Sequence, residues 1–317
     1  KGPFSRDRLK GPFPLSAPAL LPLSPDRSTE YFKRALSIYQ VIWASEPELI
    51  GEKIQVLESV FGYRTFREGQ KEIIDSLFCG QDALAIMPTG AGKSLCYQIP
   101  ALMMEGVTLV ISPLVSLMKD QVNALISQGV KAAYLNRSLT DAQFDKVLEN
   151  IAQGEYKIVY VAPERLKSMR FIHAAKHLQI PLIAVDESHC VSQWGQDFRP
   201  SYLNIAEFIA ELPVRPVIGA FTATATPEVK QDVMNILHLN HPKEVTTGFD
   251  RPNLFFSVLR PNSKPQELQK LVKERTGKTG IIYCATRKRV EEVCKMLCDK
   301  GFSATRYHAG LDDEERQ

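Results

Sequence analysis

At 317 residues, the chain exceeds one ordinary domain and falls short of three, and at 44% hydrophobic and 24% charged it can bury real cores. A net charge of +3 permits a nucleic-acid partner without arguing for one, and no run approaches the ~18 apolar residues that span a bilayer. The six cysteines form no CxxC pair, which speaks against a zinc site or a disulfide framework and fits reduced, buried thiols in an intracellular protein.

Residues 1–50 carry Pro at 3, 12, 14, 18, 22 and 25, and the tetrapeptide KGPF occurs at both 1–4 and 10–13. Such a segment builds neither a helix nor a central strand, so it reads as a disordered extension with one possible amphipathic helix at 31–44. APALLPLS is too short and Pro-broken for a signal peptide, so a secreted protein is not expected. The missing initial Met suggests processing or a fragment.

From residue 51 the pattern becomes regular. The short runs at 82–87, 107–111, 157–161, 181–185 and 217–221 read as buried strands, each too short for a helix. A helix is expected over 113–129, opened by Pro113 and stopped by Gly129. Strand–helix alternation of this kind predicts an α/β domain over 51–245, a parallel sheet with helices on both faces and ligands at the carboxyl ends of the strands. Near Gly248 the pattern restarts. Strands are expected at 254–259, 279–284 and 303–308 and a helix at 287–300. Three strands are too few for a complete sheet, so 246–317 reads as the cut first part of a second domain.

MPTGAGKS, residues 87–94, lies between an expected strand and an expected helix, the setting in which a P-loop reading is credible. Thr89, Gly90 and Gly92 would cradle phosphate with backbone amides. Lys93 would place a cation at the β/γ-phosphates, and Ser94 would offer its hydroxyl to Mg²⁺. Met87 stands where the generic motif has its first Gly. Asp186 and Glu187 close the run at 181–185; there, one carboxylate can hold Mg²⁺ while the next orients or deprotonates water. Trp194, Phe198 and Tyr202 follow in a polar loop, rings suited to a flat partner.

Taken together, FGYRTFREGQKEII (61–74), PTGAGKS, ISPLVSLMKDQV (111–122), YVAPERL (160–166), DESHC (186–190), the ring-bearing loop WGQDFRPSY and FTATAT (221–226) resemble the RecQ family of superfamily 2 DExH-box DNA helicases. Order and spacing match over 55–317, and Met at position 87 is normal in that superfamily. The resemblance implies a RecA-like P-loop NTPase domain followed by the start of a second one. It implies ATP and Mg²⁺ as ligands, with Lys93, Asp186 and Glu187 catalytic and Ser94 and Asp186 on the metal. It places Tyr63 on the adenine face, with Arg67 and Gln70 at its edge. Trp194, Phe198 and Arg199 would meet single-stranded or partly duplex DNA, and His189, Thr222 and Thr224 would couple that contact to hydrolysis. Ser112, Lys119 and Arg165 are candidate contacts to the DNA backbone.

The implied activity is ATP-dependent 3′–5′ DNA unwinding in repair and recombination, in the bacterial cytoplasm at the nucleoid or in a nucleus, with no membrane involved. The arginine that reaches the γ-phosphate from the second domain and the zinc-binding and winged-helix regions do not occur in this sequence. The 317 residues alone are therefore expected to bind ATP–Mg²⁺ weakly and contact single-stranded DNA without unwinding duplex. A DEAD-box RNA helicase shares the P-loop and the threonine motif, but residues 186–189 read DESH. A truncated nucleotide-binding module that works through partners is the third reading.

Overall fold

The computed structural model describes residues 46–195, 197–248, 254–312 and 315. The chain divides into two compact units, residues 1–250 and 251–317. The expected helix at 31–44 lies outside the described residues.

In the first unit, helices α1 (Glu46–Phe61) and α2 (Gln70–Phe78) precede β1 (Ala83–Ile86) and α3 (Lys93–Met103). Then follow β2 (Thr108–Ile111), α4 (Val115–Ser127), β3 (Ala132–Leu135), α5 (Asp141–Ala152), β4 (Ile158–Val161) and α6 (Met169–Ala175). The unit ends with β5 (Leu182–Val185), α7 (Asn204–Glu211), β6 (Val217–Thr222), α8 (Pro227–Ile236) and β7 (Lys243–Thr246), with short 3-10 turns at Pro163–Lys167, Ser188–Val191 and Pro200–Leu203. All seven strands are parallel, in the order β3-β4-β2-β5-β6-β1-β7.

Successive residues of a strand point to opposite faces, and this sorts the core into two layers. Leu84, Ile86, Leu109, Ile111, Val159, Val161, Ile183 and Val185 pack on one face with Phe144 of α5, Phe171 of α6, Phe208 of α7 and Val233 of α8. Ala83, Ala85, Val110, Ile158 and Ala184 face the other way, against Ile73 and Leu77 of α2, Tyr97 of α3 and Met118 and Val122 of α4. The alanines at 83, 85 and 184 give this layer its small side chains. Burial on both faces is why these strands read as continuous apolar runs. β3 and β7 were not foreseen. Both are edge strands; AAYL lacks β-branched residues and KEVT is largely polar, as exposed edges tend to be.

Two ionic clusters, each built around one buried charge, tie separate elements together. Asp82, 1% exposed in its side chain, accepts both guanidinium nitrogens of Arg215 (3.1 and 2.5 Å) and the amides of Ile218 (2.8 Å) and Asn240 (2.7 Å). It thereby joins the start of β1 to β6 and to the turn before β7. Lys53 of α1 is buried with its ammonium 2.5 Å from Asp75 of α2 and 4.7 Å from the Phe78 ring, while Lys71 reaches the other oxygen of Asp75 at 2.6 Å. Burial raises the pKa of this carboxyl, but the two lysines outweigh it and hold the group below its ordinary value near 3.8.

The second unit departs from expectation. Its helices α9 (Lys264–Glu274) and α10 (Arg287–Asp299) form, the latter capped by Thr286, whose hydroxyl accepts from the Arg289 amide. The segments 254–259, 279–284 and 303–308 are not strands, and no strand occurs among the described residues of this unit. A strand exists only through a neighbour's hydrogen bonds, and these runs pair with none. Phe255 and Tyr283 are each 92% exposed. No described helix in either unit is long and apolar enough to cross a membrane.

Candidate nucleotide and nucleic-acid site

Strand order brings the motifs together. β6 lies between β5 and β1, so the end of β6 at Thr222 sits between the loop after β1 and the loop after β5. Ile86 pairs with Thr222, the Met87 amide donates to the Thr222 carbonyl (3.0 Å), and the Asp186 amide donates to Ile111 across the β5–β2 seam (2.8 Å). The P-loop residues, the carboxylate pair and the threonines therefore share the carboxyl edge of one sheet.

Gly92 has a φ of +83°, a conformation that favours glycine, and a Cβ there would displace the Gln70 amide nitrogen 2.4 Å away. Gln70 is buried and donates to the carbonyls of Ala91 (3.1 Å) and Gly92 (3.0 Å), while its own oxygen accepts from the Arg67 amide (2.8 Å). The Arg67 guanidinium donates to the Gly90 carbonyl. Here both side chains brace the phosphate loop from outside. Sequence reasoning missed this bracing, because the residues lie 21 to 23 positions from their partners. Tyr63, 51% exposed, presents a free ring. The Lys93 ammonium donates to the Met87 carbonyl at 3.0 Å, across the chord of the loop that cradles it.

Asp186 is half-buried, and its desolvation followed by the adjacent Glu187 charge pushes its pKa up to about 6 despite the Glu187 amide (3.0 Å) and Lys93. A carboxylate left short of positive charge, with Lys93 acting on it, fits a divalent cation. Ser94 and Asp186 are the residues that would hold Mg²⁺, which supplies charge neutralisation for phosphate when bound. No group of three or more metal-ligating side chains occurs among the described residues.

Glu187 has a left-handed backbone (φ 47°, ψ 46°), which turns its side chain toward His189, whose Nδ1 lies 3.4 Å from the carboxylate and 2.9 Å from Thr222 Oγ1. Assigning the single proton of Thr222 to the Thr224 carbonyl (3.0 Å) puts the His189 proton on Nδ1, as the donor to Thr222. His189, Thr222 and Thr224 thus form one hydrogen-bonded chain, with the Glu187 carboxylate beside it.

The ring-bearing loop divides in two. Trp194 is 78% exposed and Phe198 half-buried. Tyr202, in contrast, is fully buried and donates its hydroxyl to the Asp186 carbonyl (2.8 Å); it supports the carboxylate pair from beneath instead of meeting a flat partner. Arg199 is engaged by Asp197 (2.7 and 3.0 Å) and by the Pro113 carbonyl (2.9 Å), which ties the loop to the 111–122 block. Ser112 is buried. Arg165 clamps the Asn136 carbonyl (3.1 and 2.8 Å) and lies over the Phe144 ring, so it acts within the fold as placed. Lys119 is exposed.

A family model described as DEAD/DEAH box helicase matches residues 67–233, more than half of the chain and the whole span from the phosphate-loop brace to α8. The chain belongs to the DEAD/DEAH box helicase family. Among curated proteins of this family it is 45% identical over 264 residues to the ATP-dependent DNA helicase RecQ of Pasteurella multocida, covering 83% of this chain and 42% of that one. It is 47% identical over 263 residues to the RecQ helicase of Bacillus subtilis, covering 83% and 44%. These agree with the resemblance read from the motifs, and the chain spans less than half the length of these relatives. Among solved structures, a DNA-bound form of the DUF1998 helicase MrfA aligns over 84% of this chain and 41% of that chain, with a TM-score of 0.65 at 21% identity. That likeness concerns the fold: a RecA-like helicase core.

Proposed function

We propose that the protein is an ATP-dependent 3′–5′ DNA helicase of the RecQ type, acting in DNA repair and recombination wherever the cell keeps its DNA. In this reading Tyr63 stacks on adenine, the loop from Thr89 to Ser94 holds the phosphates, Asp186 and Ser94 hold Mg²⁺, and Glu187 orients the attacking water. Trp194 and Phe198 take bases of single-stranded DNA, for about 1–3 kcal/mol per stacked base. Residues 246–317 belong to a second RecA-like domain.

The observation that supports this reading is that the Glu187 carboxylate lies 3.4 Å from His189, itself hydrogen-bonded to Thr222, in a loop whose next turn exposes Trp194. A water-orienting carboxylate and a base-stacking ring on one short segment give hydrolysis and strand contact a common mechanical part. The test is binding and hydrolysis of ATP–Mg²⁺ by this chain with and without oligo(dT), beside Lys93→Ala. Nucleotide binding should fall at least ~100-fold in the variant, since the cation at the β/γ-phosphates is lost, while oligo(dT) binding stays within about twofold. Loss of both ligands together, or of neither, sinks the assignment.

A further inference from the structure

The exposed Trp194 ring is aimed by its backbone, and that backbone is held from a helix no motif includes. Ser192 is fully buried. Its hydroxyl donates to Asp232 Oδ2 of α8 at 2.7 Å and accepts the Trp194 amide at 3.1 Å. One proton and one lone pair are each used, and donation to a carboxylate makes the hydroxyl a stronger acceptor. The Gly195 amide then closes the turn on the Ser192 carbonyl at 3.0 Å. A Cβ on Gly195 would lie 2.5 Å from the His189 carbonyl, so the turn is pressed onto the histidine residue that Thr222 holds. The β6–α8 segment thus grips the loop twice, through Thr222 before the turn and through Asp232 at it. Helix α8 starts at Thr226, whose hydroxyl accepts the Val229 amide, so the two grips sit on one short rigid piece.

We infer that Asp232 is a positioning residue which, through the Ser192 hydroxyl, fixes the backbone of Trp194 and registers its ring against α8 for contact with single-stranded DNA. Asp232 touches neither nucleotide nor DNA in this assignment. The DNA half of the inference rests on the function proposed above; the positioning half does not.

The test uses the full 317-residue chain carrying Trp43→Phe, which leaves Trp194 as the single tryptophan of the two present. Time-resolved fluorescence anisotropy without DNA reports the local freedom of the ring. Asp232→Ala and Ser192→Ala should enlarge the fast component, whereas Asp232→Asn and Ser192→Thr, which keep an acceptor and a hydroxyl, should restore most of the parent behaviour. Oligo(dT) affinity should fall about fivefold in the two alanine variants, with affinity for a non-hydrolysable ATP analogue unchanged. Unchanged anisotropy in folded alanine variants overturns the inference. So does an equal fall in nucleotide and oligo(dT) affinity, which would mark a general structural role. If the parent chain binds no oligo(dT), the DNA assignment falls, and the anisotropy series still decides whether Asp232 positions Trp194.

Discussion

In residues 46–248, the run Ile158–Val161 lies between two hydrogen-bonded neighbours and is wholly buried. In residues 254–312, a run of the same character at 279–284 pairs with nothing and leaves Tyr283 92% exposed. Composition does not separate the two. What separates them is the company each keeps, since a strand is a relation between segments and a helix is largely a property of one. Helices α9 and α10 accordingly form in the second unit, while its apolar runs stay outside any strand.

Hydrogen exchange is the measurement that bears most strongly on this contrast. Amides of β1, β2, β4, β5 and β6 should exchange at least ~10³-fold more slowly than those of 254–259, 279–284 and 303–308, because central strands open only with the whole domain. Strong protection at 279–284 would erase the distinction between the units.

Substitution sharpens it. Asp82→Ala removes the carboxylate acceptor of the buried Ile218 amide, of the Asn240 amide and of Arg215, which keeps the Pro216 and His238 carbonyls, and should cost about 2–3 kcal/mol in chemical denaturation. Phe255→Asp, at a side chain that touches little, should stay within about 0.5 kcal/mol. Near-equal effects would mean that the exposed runs of the second unit are packed after all.

A smaller effect concerns acid. Because the Asp75 carboxyl is held below its ordinary value near 3.8, its contribution is present above that value and disappears as pH falls through the lower folded one. Solvent screening keeps it below about 1 kcal/mol. The stability gap between the parent chain and Asp75→Asn should therefore narrow as pH is taken from about 5 to about 3. A gap that widens instead would remove the two lysines as its cause.

The legible and illegible parts of the site divide along the same line. The P-loop could be read because its chemistry is local: glycines, a lysine and a serine must follow one another to cradle a phosphate. The carboxylate pair was legible for a similar reason, two acids closing an apolar strand. The bracing of that loop by Arg67 and Gln70 depends on how α2 packs beside α3, which no spacing within 61–74 encodes. Tyr202 was misread as a partner-facing ring because Trp194, Phe198 and Tyr202 look alike in sequence, and only the fold decides which of them is buried. The edge strands β3 and β7 escaped notice because an edge strand is selected against looking like a strand.

The left-handed backbone of Glu187 has a consequence for how this position tolerates change. A residue with a Cβ costs about 1 kcal/mol or more in that conformation, and glycine does not. Glu187→Gly should therefore give a chain at least as resistant to heat as the parent and deprived of the carboxylate proposed to orient water. Selection on folding alone would drift toward glycine here. The glutamate at this position is a point where durability and chemistry pull in opposite directions.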